Sequence, residues 1–141
     1  MPKIEQILDK YDSQKRTEKS KLMFDEVESK VNFKLPEDYK FFAKNYIENE
    51  YFIGDIFFRL WDFDELLEIN NDYGILKNLT NTIGIGENGS SEFIAIELLE
   101  NNEYRIVLSP FIDLDKSFNI EIGKSFTNFF ERLEKGKDWF K

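Results

Sequence analysis

The chain has 141 residues, 41% apolar and 33% charged, with 15 Phe, 6 Tyr and 2 Trp, a composition that builds one aromatic-cored domain and excludes a disordered chain. It contains no cysteine and no histidine, which excludes disulfides, thiolate or imidazole metal sites and every catalytic arrangement that needs a histidine base. Of the net charge of −9, residues 51–100 carry −8, with Arg59 and Lys77 as their only cations, a distribution that repels phosphate backbones and steers a basic partner.

Taken in chain order, the first half reads helical. Ile4, Ile7, Leu8 and Tyr11 fall on one helical stripe. The polar run from Ser13 to Lys21 reads as a solvated connection, and a second helix is expected from Leu22 to about Val31, with Phe24, Val27 and Val31 inward. A third opens at Pro36, which suits a first helical turn. Glu37 and Asp38 complement its dipole, and Tyr39, Phe42, Ala43 and Tyr46 form its stripe. Past Asn49 the period changes. Tyr51–Ile53 and Ile56–Leu60 read as strands around Gly54-Asp55, and Asp62 to about Tyr73 as a short acidic helix with Leu66, Leu67 and Ile69, ended by Gly74. Three strands follow at Thr82–Gly86, Glu92–Leu98 and Tyr104–Leu108, with a further one through Ser117–Ile122. Ser125 caps a closing helix with Phe126, Phe129, Phe130 and Leu133 inward and Gly136 after its last turn. The expected fold is α+β: one domain over residues 1–141, an antiparallel sheet flanked by N-terminal helices and a closing C-terminal helix.

No motif for chemistry withstands its structural alternative. Gly84-Ile85-Gly86-Glu87-Asn88-Gly89 has the spacing of a dinucleotide loop, but a strand-like segment follows where a helix must open, and Glu87 would repel phosphate. Asp113-Leu114-Asp115 begins like a calcium loop, yet its sixth position is Phe118 where glycine is required. Asp62-Phe63-Asp64-Glu65 could pair carboxylates for hydrolysis, but these acids stand where a helix wants its N-cap and first-turn charges. The expectation is a protein without catalytic activity, cofactor or metal. No stretch approaches the roughly 20 apolar residues of a membrane span, and Met1 to Gln6 is too polar for a secretory signal, so neither membrane nor nucleic acid is an expected partner and the cytoplasm is the expected compartment.

Leu35-Pro36-Glu37-Asp38-Tyr39-Lys40-Phe41-Phe42, with Asn45-Tyr46 after it, resembles the L-P-x-x-Y-x-x-F unit of the SUKH superfamily, which comprises bacterial immunity proteins and the fungal Smi/Knr regulators of cell-wall synthesis. Ile83 to Gly89 ahead of Phe93-Ile94-Ala95-Ile96 is similar to that family's glycine-rich turn before a central strand, and Ser125-Phe126-Thr127-Asn128-Phe129-Phe130 to its closing helix. Ser90-Ser91 stands where a further glycine is usual, and the acidic C-terminal tail of many members is absent. The resemblance implies an antiparallel sheet flanked by helices and no catalytic residues. It also implies a role, binding and neutralising a cognate toxin, often a nuclease; an adaptor or regulatory module of the same fold is the alternative.

Charge then selects the expected surface, because carboxylates can compete for the basic cleft in which a nuclease holds phosphate. The candidates are Asp55, Asp62, Asp64, Glu65, Glu68 and Asp72, with Tyr51 and Trp61 as aromatic anchors.

Overall fold

Six antiparallel strands follow one another as a meander, each hydrogen-bonded to its sequence neighbours, in the computed structural model, which describes residues 2–137 and 139. Helices α1 (Lys3–Lys10), α2 (Phe24–Val31) and α3 (Glu37–Asn45) precede β1 (Asn49–Ile53) and β2 (Ile56–Leu60). A 3-10 turn (Phe63–Glu65), α4 (Leu66–Asp72) and the short α5 (Ile75–Asn78) lead to β3 (Thr82–Glu87), β4 (Glu92–Leu98) and β5 (Tyr104–Pro110). A second 3-10 turn (Lys116–Phe118), β6 (Ile120–Gly123) and α6 (Phe126–Glu134) complete the described fold. This is the expected α+β arrangement.

Local chemistry sets these boundaries. Gly54 and Asp55 both take positive φ, 56° and 68°, as a two-residue hairpin turn requires. The Ser125 hydroxyl accepts the Asn128 amide at 2.9 Å and so caps α6. Two expected elements differ. The acidic helix begins as a 3-10 turn because the Asp62 carboxylate captures the Asp64 amide at 3.1 Å. The last strand starts at Ile120, since Asp115 likewise captures the Ser117 amide at 2.9 Å and turns the chain.

Both faces of the sheet are covered, which is why the central strands read as near-continuous apolar runs. On one face α6 lays Phe126, Phe129 and Phe130 against Tyr39, Tyr51 and Phe58, with ring centroids 5.0–5.7 Å apart. Each buried ring of this kind stabilises the fold by about 2 kcal/mol. α1 and α3 pack beside α6; Lys10 and Tyr11 both reach Glu134 at 2.8 Å, and Asp38 accepts the amide and hydroxyl of Thr127 at 2.8 Å.

On the other face lie α4 and α5. A β-bulge at Gly84–Gly86 interrupts the β3–β4 ladder and leaves Gly84 in need of partners. Buried Asn70 of α4 supplies them: its carboxamide oxygen accepts the Gly84 amide at 2.7 Å, and its Nδ2 donates to the Gly84 and Leu66 carbonyls at 2.9 and 2.8 Å. One side chain thus fastens α4 to the sheet.

Candidate partner-binding surface

The eight residues selected by charge divide into three groups. Tyr51 and Trp61 are 4% and 2% exposed, so neither ring offers a surface to a partner. Tyr51 stacks on Phe58 and shares a 2.7 Å hydrogen bond with Ser13, and burial pushes its hydroxyl pKa well above the usual tyrosine value. The indole of Trp61 donates to Glu87 at 2.8 Å, the arrangement a buried indole needs.

Asp62 and Asp64 are engaged within the molecule. Arg16, whose side chain is 7% exposed, donates to Asp62 at 2.6 Å, to the Tyr46 carbonyl at 3.1 Å and to Asp64 at 3.4 Å. Asp64 also accepts the Ser20 hydroxyl and the amides of Lys21 and Leu22, the last two at 2.8 and 3.0 Å. Burial works against the charge on Asp64, but Ser20, the two amides and Arg16 outweigh it and hold the carboxyl below its ordinary value. The Ser13–Lys21 segment is therefore no solvated connection. Its arginine is buried and its backbone is tied down, by Asp64 and also by Asn49, which accepts the Gln14 amide at 2.6 Å.

Four of the expected acids remain exposed: Asp55, Glu65, Glu68 and Asp72. Asp55 sits at the tip of the β1–β2 hairpin, apart from the others. Glu65, Glu68 and Asp72 follow a helical spacing along α4 and make no ion pair among the described residues.

The structure adds residues that the charge count did not select. Tyr73, 49% exposed at the end of α4, packs on Phe111 of the β5–β6 loop with centroids 4.4 Å apart, and Phe111 in turn packs on Phe93 of β4. Beside Phe111, Ile112 is 86% exposed, an apolar side chain left in water among acids. Asp113 and Asp115 flank it on the same loop, both exposed. The amide and hydroxyl of Ser117 hold the Asp115 carboxyl below its ordinary pKa, so it keeps its charge. Lys116 turns away from this rim to reach Glu97 at 3.3 Å, and Arg105 reaches the same buried carboxylate at 2.8 Å. Glu97 thereby anchors the loop to the sheet. The sequence did hold a signal: Phe111-Ile112 interrupts a polar turn, and apolar residues there have no core to serve.

The result is an acidic rim around an aromatic and aliphatic centre. Of the cations in residues 51–100, Arg59 is surrounded by Glu48, Glu50 and Glu87, so only Lys77 is left to offset the rim. A surface of this kind suits a basic protein with an apolar contact point.

Comparison with known families settles the scaffold. The model of the SMI1/KNR4 family (SUKH-1) matches residues 20–132. The chain belongs to that family. The SUKH-1 span takes in α2 through most of α6 and includes Leu35, Tyr39 and Phe42, all buried, so the Leu-Pro-x-x-Tyr unit of this SUKH-1 chain is core. No curated protein matches the chain. Among the described residues, no helix is long and apolar enough to cross a membrane.

Proposed function

We propose that this SUKH-1 chain, acting as one domain over residues 1–141, is a cytoplasmic immunity protein without catalysis of its own. It binds a basic, nuclease-type toxin domain and occludes it. One observation carries the reading: exposed Glu65, Glu68, Asp72, Asp113 and Asp115 surround exposed Tyr73 and Ile112 with almost no compensating cation. The apolar centre supplies contact area and the rim supplies steering and register. SUKH-1 membership supports it, as a family of binding proteins.

The test is co-expression with the toxin domain encoded beside this chain, scored by survival and by co-purification. Tyr73→Ala and the pair Glu68→Lys/Asp72→Lys should each weaken the complex by tenfold or more, on the scale of interface hot spots. Their melting temperatures should stay close to that of the unaltered chain, because all three side chains are exposed. Asp64→Lys, by contrast, should unfold the 13–22 segment and is unsuitable as a surface probe. Full protection by the Tyr73 and Glu68/Asp72 variants would sink the assignment of this surface.

A further inference from the structure

A second surface lies beyond the Arg16 clamp, and its chemistry is the opposite of the first. A groove of about 700 Å³ opens between the 15–24 segment and the outer side of α3. Aromatic rings line it: Phe24 meets Phe63 edge-on at 5.1 Å, and Phe41 leans on Tyr46 at 6.2 Å. Met23 is exposed at its rim.

The groove also collects positive charge in a chain that has little to spare. Residues 15–21 hold Lys15, Arg16, Lys19 and Lys21 against one acid, Glu18. Lys15, Lys19 and Lys44 line the groove, are exposed, and enter no ion pair among the described residues; Glu5 and Glu18 line it as well. A separate observation points the same way. Arg16 belongs to the lining, and its Nε, fully buried, has no hydrogen-bond partner among the described residues. A buried donor in that position favours an acceptor nearby. Because Asp62 and Asp64 already hold Arg16, Ser20, Lys21 and Leu22, the wall is built before anything binds, which lowers the ordering cost of binding.

We propose that this groove binds an acidic peptide segment of a protein partner, with a bulky apolar side chain on Phe24 and Phe41 and carboxylates facing Lys15, Lys19 and Lys44. The lysines reject a basic ligand and the aromatic floor rejects a purely hydrophilic one, so both features are needed together. The proposal is independent of the toxin-binding surface, and either can fail without the other.

The experiment uses the full chain and three fluorescein-labelled peptides: one with glutamates around a phenylalanine, one with lysines for the glutamates, and one with alanine for the phenylalanine. The first should bind saturably, and each of the others at least about tenfold more weakly. Lys15→Glu/Lys44→Glu should weaken the first peptide by about the same factor. Met23→Asp should do so too while keeping the fold, since aspartate is a favoured residue at the N-cap of α2 that Met23 occupies. Absence of binding, equal binding of the three peptides, or unchanged binding by both variants would overturn the proposal. So would sedimentation of the chain as a dimer that Lys15→Glu/Lys44→Glu converts to monomer, which would make a second copy the occupant.

Discussion

Asp64 illustrates how a residue chosen for its charge can serve a structural purpose. Exposed aspartates steer partners; this one gathers a hydroxyl, two amides and a guanidinium from a segment more than forty positions earlier. Arg16 is the other half of that device. Replacing it with methionine leaves two carboxylates facing a half-buried wall, and urea unfolding should show a loss of about 3 kcal/mol. The pH dependence follows from the depressed pKa of Asp64. The unfolded carboxyl has its ordinary value near 3.8 and the folded one lies lower, so the folded state binds fewer protons through the carboxylate range. The contribution is full above about pH 5 and declines as pH falls through the ordinary and then the folded pKa. Thermal melts of the native chain and of Asp64→Asn should therefore differ most near neutrality and converge toward about pH 2.5. A gap that widens on acidification would contradict the sign. From the sequence Asp62 and Asp64 looked free because their partner, Arg16, is distant in the chain, and no helical or strand period connects the two.

The same limit explains α4. Its apolar residues were legible, but the residue that seats it was not, because asparagine in a helix signals weak propensity more readily than a purpose. Asn70 replaces the ladder partners that the Gly84–Gly86 bulge removes, and a bulge leaves no mark in periodicity. Asn70→Leu strands a buried amide and a buried carbonyl, and should lower stability by about 2–4 kcal/mol in denaturant titrations. It should also raise hydrogen exchange in α4 more than in β5. Gly86 makes a complementary point. A Cβ there would stand 2.3 Å from the Arg59 carbonyl oxygen, so the glycine read as part of a turn motif in fact permits β2 to approach β3. Gly86→Ala should cost about 2 kcal/mol or more, read from the same titrations. Strands and hairpin turns were legible because alternation and Gly-Asp or Asn-Asn turns are local. Close approach and bulge repair are not.

At the scale of the whole molecule, the charge is arranged so that two opposite chemistries occupy separate places: an acidic rim on α4 and the β5–β6 loop, and a lysine-rimmed groove beside α3. Association of a basic partner with the rim should slow by about tenfold or more between low and high ionic strength, measured by stopped flow, while dissociation changes little. A rate indifferent to salt would show that the rim does not steer. The aromatic face shared by α3, β2 and α6 has a consequence for biosynthesis. The meander can form hairpin by hairpin as the chain emerges, since each strand pairs with its sequence neighbour. The rings of Tyr39, Tyr51 and Phe58, however, gain their cover only when Phe126, Phe129 and Phe130 arrive. Until the ribosome releases that last helix, a nascent chain with its sheet already paired displays an open aromatic surface, the natural handle for a chaperone and the point at which premature termination turns a folding chain into an aggregating one.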